Sequence, residues 1–114
     1  MDRQFVYDVV RDHLLTQNKQ SRPRVGGSCR YRGDRGTMCA IGCLIPDANY
    51  FIGLEGTNAK NPAVLKAVEP VIGPVTRTQD GDFLRSLQGI HDSDLVENWS
   101  AALYDFALKH NLRP

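Results

Sequence analysis

Apolar side chains recur at three- and four-residue spacing over residues 2–18, DRQFVYDVVRDHLLTQN. Phe5, Val6, Val9, Val10, His13 and Leu14 form one stripe, while Asp8, Arg11, Asp12 and Thr16 fall mostly on the other side. That period predicts an amphipathic helix, with Asp2 as its N-cap. Pro23, Gly26 and Gly27 make residues 19–28 a loop. Next, Cys29 and Tyr31 alternate with Arg30 and Arg32, and Gly33 to Gly36 supply turn chemistry. The pattern predicts a short β-hairpin over 29–38, which needs helices beneath it because two short strands are not stable alone.

The apolar run MCAIGCLI, residues 38–45, closes at Pro46-Asp47. A short helix over 39–45 is expected, since Thr37 offers an N-cap and Cys39 and Cys43 then share a face. Gly42 costs such a helix about 1 kcal/mol relative to alanine, which implies close packing against another backbone. Residues 48–60 are irregular, with Tyr50, Phe51, Ile52 and Leu54 pinning them to the core. Asn61-Pro62 is a cap followed by proline at the first helical position, opening a helix over 61–69 that Pro70 ends. Helical period returns at 82–91 and at about 95–110, where Asn111 is a left-handed stop. The expected fold is mainly α (α+β): one domain, 1–114, of about four helices with one short β-hairpin. Phe5, Val9, Leu14, Ile41, Leu44, Leu65, Leu87, Ile90, Trp99, Leu103 and Phe106 are its expected core.

Composition narrows the class without naming a function. The chain has 114 residues, 41% hydrophobic and 24% charged, as a single globular domain requires. No apolar run approaches the ~18–20 residues of a membrane span, and no cleavable signal is visible. Three cysteines without a signal fit a reducing compartment, so a cytoplasmic location is expected. Net charge is +1, but residues 1–38 carry +4 and residues 39–114 carry −3. The excess cations lie in the 19–36 loop and hairpin, which suggests an acidic partner.

Three chemistries compete for these residues. Arg22, Arg24, Arg30, Tyr31, Arg32 and Arg35 combine cations with an aromatic ring, as a protein-binding or nucleic-acid-binding surface does. The sequence pI of 7.7 is low for a dedicated nucleic-acid binder, so a protein partner is favoured. Cys39 at a helix start, with His91 as base and Asp92 or Asp94 orienting it, would make a cysteine hydrolase. Cys29, Cys39, Cys43 and His91 would make a Cys₃His zinc site, although no C-x₂-C pair is present. Buried small cysteines explain the same residues, and neither a metal nor any other cofactor is expected. Nothing in the pattern bears on oligomeric state.

Residues 29–56, CRYRGDRGTMCAIGCLIPDANYFIGLEG, resemble a group of small proteins of bacteriophages, prophages and bacterial genomes. Their shared pattern is C-x-Y-R-G-x-x-G-x-x-C-A-I/V-G-C-L-I-P-D-x-x-Y followed by Glu-Gly. Cys29, Tyr31, Arg32, Gly33, Gly36, Cys39, Ala40, Gly42, Cys43, Pro46, Asp47, Tyr50, Glu55 and Gly56 match it. Leu87, Gln88, His91, Asp92 and Trp99 are similar as well. The resemblance implies a phage-type accessory protein and transfers no catalytic or binding role to any residue. The functional expectation is a non-catalytic protein that binds a host macromolecule through the basic projection at 19–36.

Overall fold

The computed structural model describes residues 1–114. Four helices carry the fold: α1 (Arg3–Gln17), α2 (Pro62–Ile72), α3 (Gln79–Ser93) and α4 (Trp99–Lys109). Between them the chain makes single 3-10 turns at 34–36, 42–44, 47–49, 52–54 and 96–98. No helix is long and apolar enough to cross a membrane. One buried cluster of apolar side chains joins all four helices to the segment 39–45 and to Leu54 and Ala59.

Each helix ends where its local chemistry requires. The Asp2 carboxylate accepts the Phe5 N–H at 3.1 Å, and Asn18, with φ 53°, closes α1 by donating to the Leu14 carbonyl. Asn61 caps α2 through the Ala63 N–H. That helix does not stop at Pro70 but runs through it to Ile72. Proline removes only the bond to the carbonyl of Lys66, and both residues are exposed, so water takes its place. Gly73, with φ 78°, then ends the helix. Thr76 and Asp80 exchange side chain–backbone hydrogen bonds, which starts α3 three residues before the expected position. Asn111, with φ 57°, follows the end of α4 as expected.

The apolar stripe of α1 is rotated from the predicted one. Val6, Tyr7, Val10 and Leu14 are buried, Val9 is partly covered, and Phe5 is 46% exposed. Tyr7 goes inward because its hydroxyl finds the Leu103 carbonyl at 2.9 Å, so the polar tip carries no desolvation cost. The other expected core residues, from Leu14 to Phe106, are buried.

The molecule is all-helical, and the expected β-hairpin is absent. A single bridge, Arg32 to Met38, is the only β-type pairing. The reason lies in where the backbone donors go. The N–H groups of Tyr31 and Arg32 donate to the Glu55 carboxylate at 2.9 and 3.1 Å, and the Arg30 N–H donates to the Ser21 carbonyl. A glutamate side chain and a neighbouring loop thus replace the partner strand. Segment 39–45 is likewise no regular helix, only a turn and a 3-10 step over Gly42–Leu44. Gly42 is there because a Cβ would collide with the carbonyl of Tyr31.

Candidate functional site

The residues expected to form an exposed basic hairpin divide into two groups. Tyr31 is 5% exposed, and its hydroxyl donates to the Thr57 carbonyl at 2.7 Å. Arg30 pairs with Glu55 at 3.6 Å. Arg32 donates to the Ile45 carbonyl at 2.6 Å and to the Met38 sulfur, pairs with Asp47 and covers the Tyr50 ring. These three hold the irregular segment 29–55 together and are not free anchors. Arg22, Arg24 and Arg35 remain exposed, although Arg22 already donates to Gln20 and to the Gly27 carbonyl. Glu55, at the centre of this web, also accepts from the Tyr50 hydroxyl at 2.7 Å. Its signal in the sequence was a single acid between apolar YFIGL and a glycine.

The cysteines do not converge with one another. Cys39 is buried and its sulfur accepts the Gly42 N–H at 3.3 Å, while the Cys43 thiol donates to the Ala40 carbonyl at 3.1 Å. Burial pushes the Cys39 thiol far above its ordinary value and the Cys43 thiol up to about 12. Neither carries the thiolate that nucleophilic attack needs near neutral pH. Cys29 instead sits beside His91 and Asp92, with the three potential ligand atoms within 4.8 Å of one another. Its thiol is also raised, first by burial and then by the negative charge of Asp92, with Arg22 opposing.

His91 is fully buried against Trp99, with ring centroids 5.4 Å apart. Its Nε2 accepts the Ser21 backbone N–H at 2.9 Å, so the ring proton lies on Nδ1 and is donated to Asp92 Oδ1 at 2.7 Å. Both nitrogens are therefore committed within the protein. A metal would need the Nδ1 lone pair, which requires moving its proton to Nε2, directly against the Ser21 N–H. The donor set that remains, one raised thiol and one carboxylate, does not make a zinc site. The same commitment leaves His91 no lone pair with which to take a proton from a cysteine.

What this arrangement does accomplish is to fix a carboxylate. Asp92 Oδ1 also accepts from Gln88 Nε2 at 2.7 Å, and Gln88 is itself oriented by the Ile41 N–H at 2.9 Å. Gln20 adds a bond to the His91 carbonyl at 3.0 Å. The carboxylate so held stands in the wall of a cleft of about 450 Å³. The cleft lies between Ser28–Tyr31, the turn at 56–59 and the face of α3 carrying Arg85, Gln88 and Gly89. Only four of its 14 lining residues are hydrophobic. Arg85 on α3 and Arg30 on the 28–31 segment line the same cleft as Asp92, so it presents both signs of charge. Arg85 and Gln88 were missed by the sequence reading. Gln88 could have been found from its i, i+4 spacing to Asp92 on a helix, whereas Arg85 reads as an ordinary exposed helical cation.

Comparison of the chain with family models, curated proteins and solved structures finds no match.

Proposed function

We propose that this chain is a non-catalytic binding domain that takes a segment of a partner protein into the cleft between residues 28–31, the 56–59 turn and α3. The observation that carries this reading is the fixed Asp92 carboxylate lining one cleft with Arg30 and Arg85. A polypeptide offers N–H donors, carbonyl acceptors and side chains of either sign, and such a cleft can satisfy all of them. A polyphosphate backbone would meet Asp92, whose side chain is 42% exposed, as a repulsive charge. Three protonated thiols and a histidine with both nitrogens occupied support the absence of nucleophilic chemistry. The phage-type motif makes a host protein the expected partner. The surface differs from the expected hairpin because Tyr31 and Arg32 are spent on internal bonds.

Selection of a displayed random-peptide library on the immobilised protein tests this, with a single-stranded oligonucleotide as competitor. Selected peptides should carry an acidic residue and lose about tenfold in affinity on Arg85→Ala and on Asp92→Asn, one charge-assisted hydrogen bond each. Circular dichroism of both variants confirms that they fold. Selection no better than on the doubly substituted protein sinks the proposal. So does displacement of the peptides by the oligonucleotide with steep salt dependence, which would make the partner a nucleic acid.

A further inference from the structure

A second depression, also of about 450 Å³, adjoins the cleft and shares Gly56, Thr57, Asn58 and Arg85 with it. None of its eight lining residues is hydrophobic, and three of them, Lys60, Arg77 and Arg85, are cations. Five of the ten arginines of this chain have a carboxylate partner: Arg3 with Asp80, Arg11 with Asp8 and Asp12, Arg30 with Glu55, Arg32 with Asp47, Arg35 with Asp34. Of the five without one, Arg22, Arg24, Arg77, Arg85 and Arg113, only Arg77 and Arg85 face this concavity, and they face it together. Lys60 pairs with Asp82 at 2.7 Å, which uses one of its three donors.

The neutral groups in this wall have the same polarity as the charged ones. Asn58 Oδ1 accepts the Lys60 N–H at 2.8 Å, and Asn61 Oδ1 accepts the Ala63 N–H at 2.8 Å. Each asparagine has thus turned its oxygen to the backbone and keeps its NH₂ for the outside. The side chains left over are donors: two guanidinium forks, two amides and the remainder of one ammonium. A carboxylate accepts about four hydrogen bonds and carries one charge, which falls short of that set. A phosphate monoester or free phosphate has more oxygens, all of them acceptors, and ~1.5–2 negative charges near neutral pH.

We propose that the depression bounded by Asn58, Lys60, Asn61, Arg77 and Arg85 binds a phosphate group, free or as a monoester. The site stands on its own lining and does not rest on the peptide reading, because Asp92 is not part of it. If both hold, the partner segment carries a phosphoryl group next to the stretch held in the cleft.

The test is a titration of the 114-residue chain, followed by the arginine Nε–H resonances in NMR, at constant ionic strength set with chloride. Inorganic phosphate is one arm and phosphoserine the other. Saturable shifts of Arg77 and Arg85 in either arm are expected, and the better-binding arm tells free phosphate from ester. Arg77→Ala should weaken binding about tenfold, while Arg24→Ala, an exposed cation elsewhere, should leave it unchanged. Arg77 lies on an exposed connector, so its removal leaves the core intact. Asp92→Asn should not change phosphate binding, whatever it does to peptides, and this separates the two proposals. Shifts that stay linear in phosphate, that chloride reproduces, or that Arg24→Ala weakens equally would overturn the site.

Discussion

Glu55 has two carboxylate oxygens and four donors around them: two backbone N–H groups, a tyrosine hydroxyl and a guanidinium. Its neighbours are held in place by it more than by any local backbone pattern. Glu55→Ala strands the Tyr31 and Arg32 N–H groups, and the expected loss is about 3 kcal/mol of stability by denaturant unfolding. Glu55→Gln, which keeps one acceptor oxygen, should lose visibly less. Equal losses would mean that packing, not hydrogen bonding, is what Glu55 provides. The sequence made Tyr31 a candidate interface anchor because tyrosine and arginine suit partner surfaces. The same large, bonding side chains suit internal struts equally well. Only the position of a remote acid, twenty-four residues on, decides which use is made of them.

At the scale of elements, the helices and the segment between them follow different logics. The helices were visible because period, caps and stops all lie within a few residues of one another, and their errors are in ends such as Pro70 and Gln79 and in the buried face of α1, where Tyr7 replaces Phe5. Segment 19–60 has no such local code. Its shape comes from bonds that reach across the chain: Ser21 to His91, Met38 to His13 and Gln17, Ile41 to Gln88, Tyr31 to Glu55. Gly42 shows how tightly two parts of this segment are pressed together. Gly42→Ala must drive the 39–45 run away from the Tyr31 backbone, and a loss of about 2 kcal/mol or more is expected in thermal or urea unfolding. The fingerprint is specific: amide exchange of residues 31–32 and 41–44 should accelerate, while that of α4 changes only with global stability. A neutral substitution would show that the run at 39–45 can move freely.

Over the whole molecule, burial of thiols ties stability to alkaline pH. The folded chain holds the Cys43 proton up to about 12, whereas the ordinary value is 9.0. Cys39 and Tyr31 are shifted upward in the same direction, each first of all by burial. Above pH 9 the unfolded chain therefore binds fewer protons than the native one, and stability falls as pH rises. Urea midpoints should be level between about pH 7 and 8, fall from about 9 upward, and fall less steeply in Cys43→Ala. A midpoint that rises across that range would refute the assignment. The asymmetric charge, the four helices and most of the core were legible in the amino-acid order. Helical period and composition are properties of neighbouring residues, and they survive whatever the rest of the chain does. The absence of the hairpin, the burial of Tyr31, the pairing of Cys29 rather than Cys39 with His91 and Asp92, and the meeting of Arg77 with Arg85 were decided only by the tertiary structure. A hydrogen bond or an ion pair needs two groups within about 3–4 Å, and for residues tens of positions apart only the folded chain sets that distance.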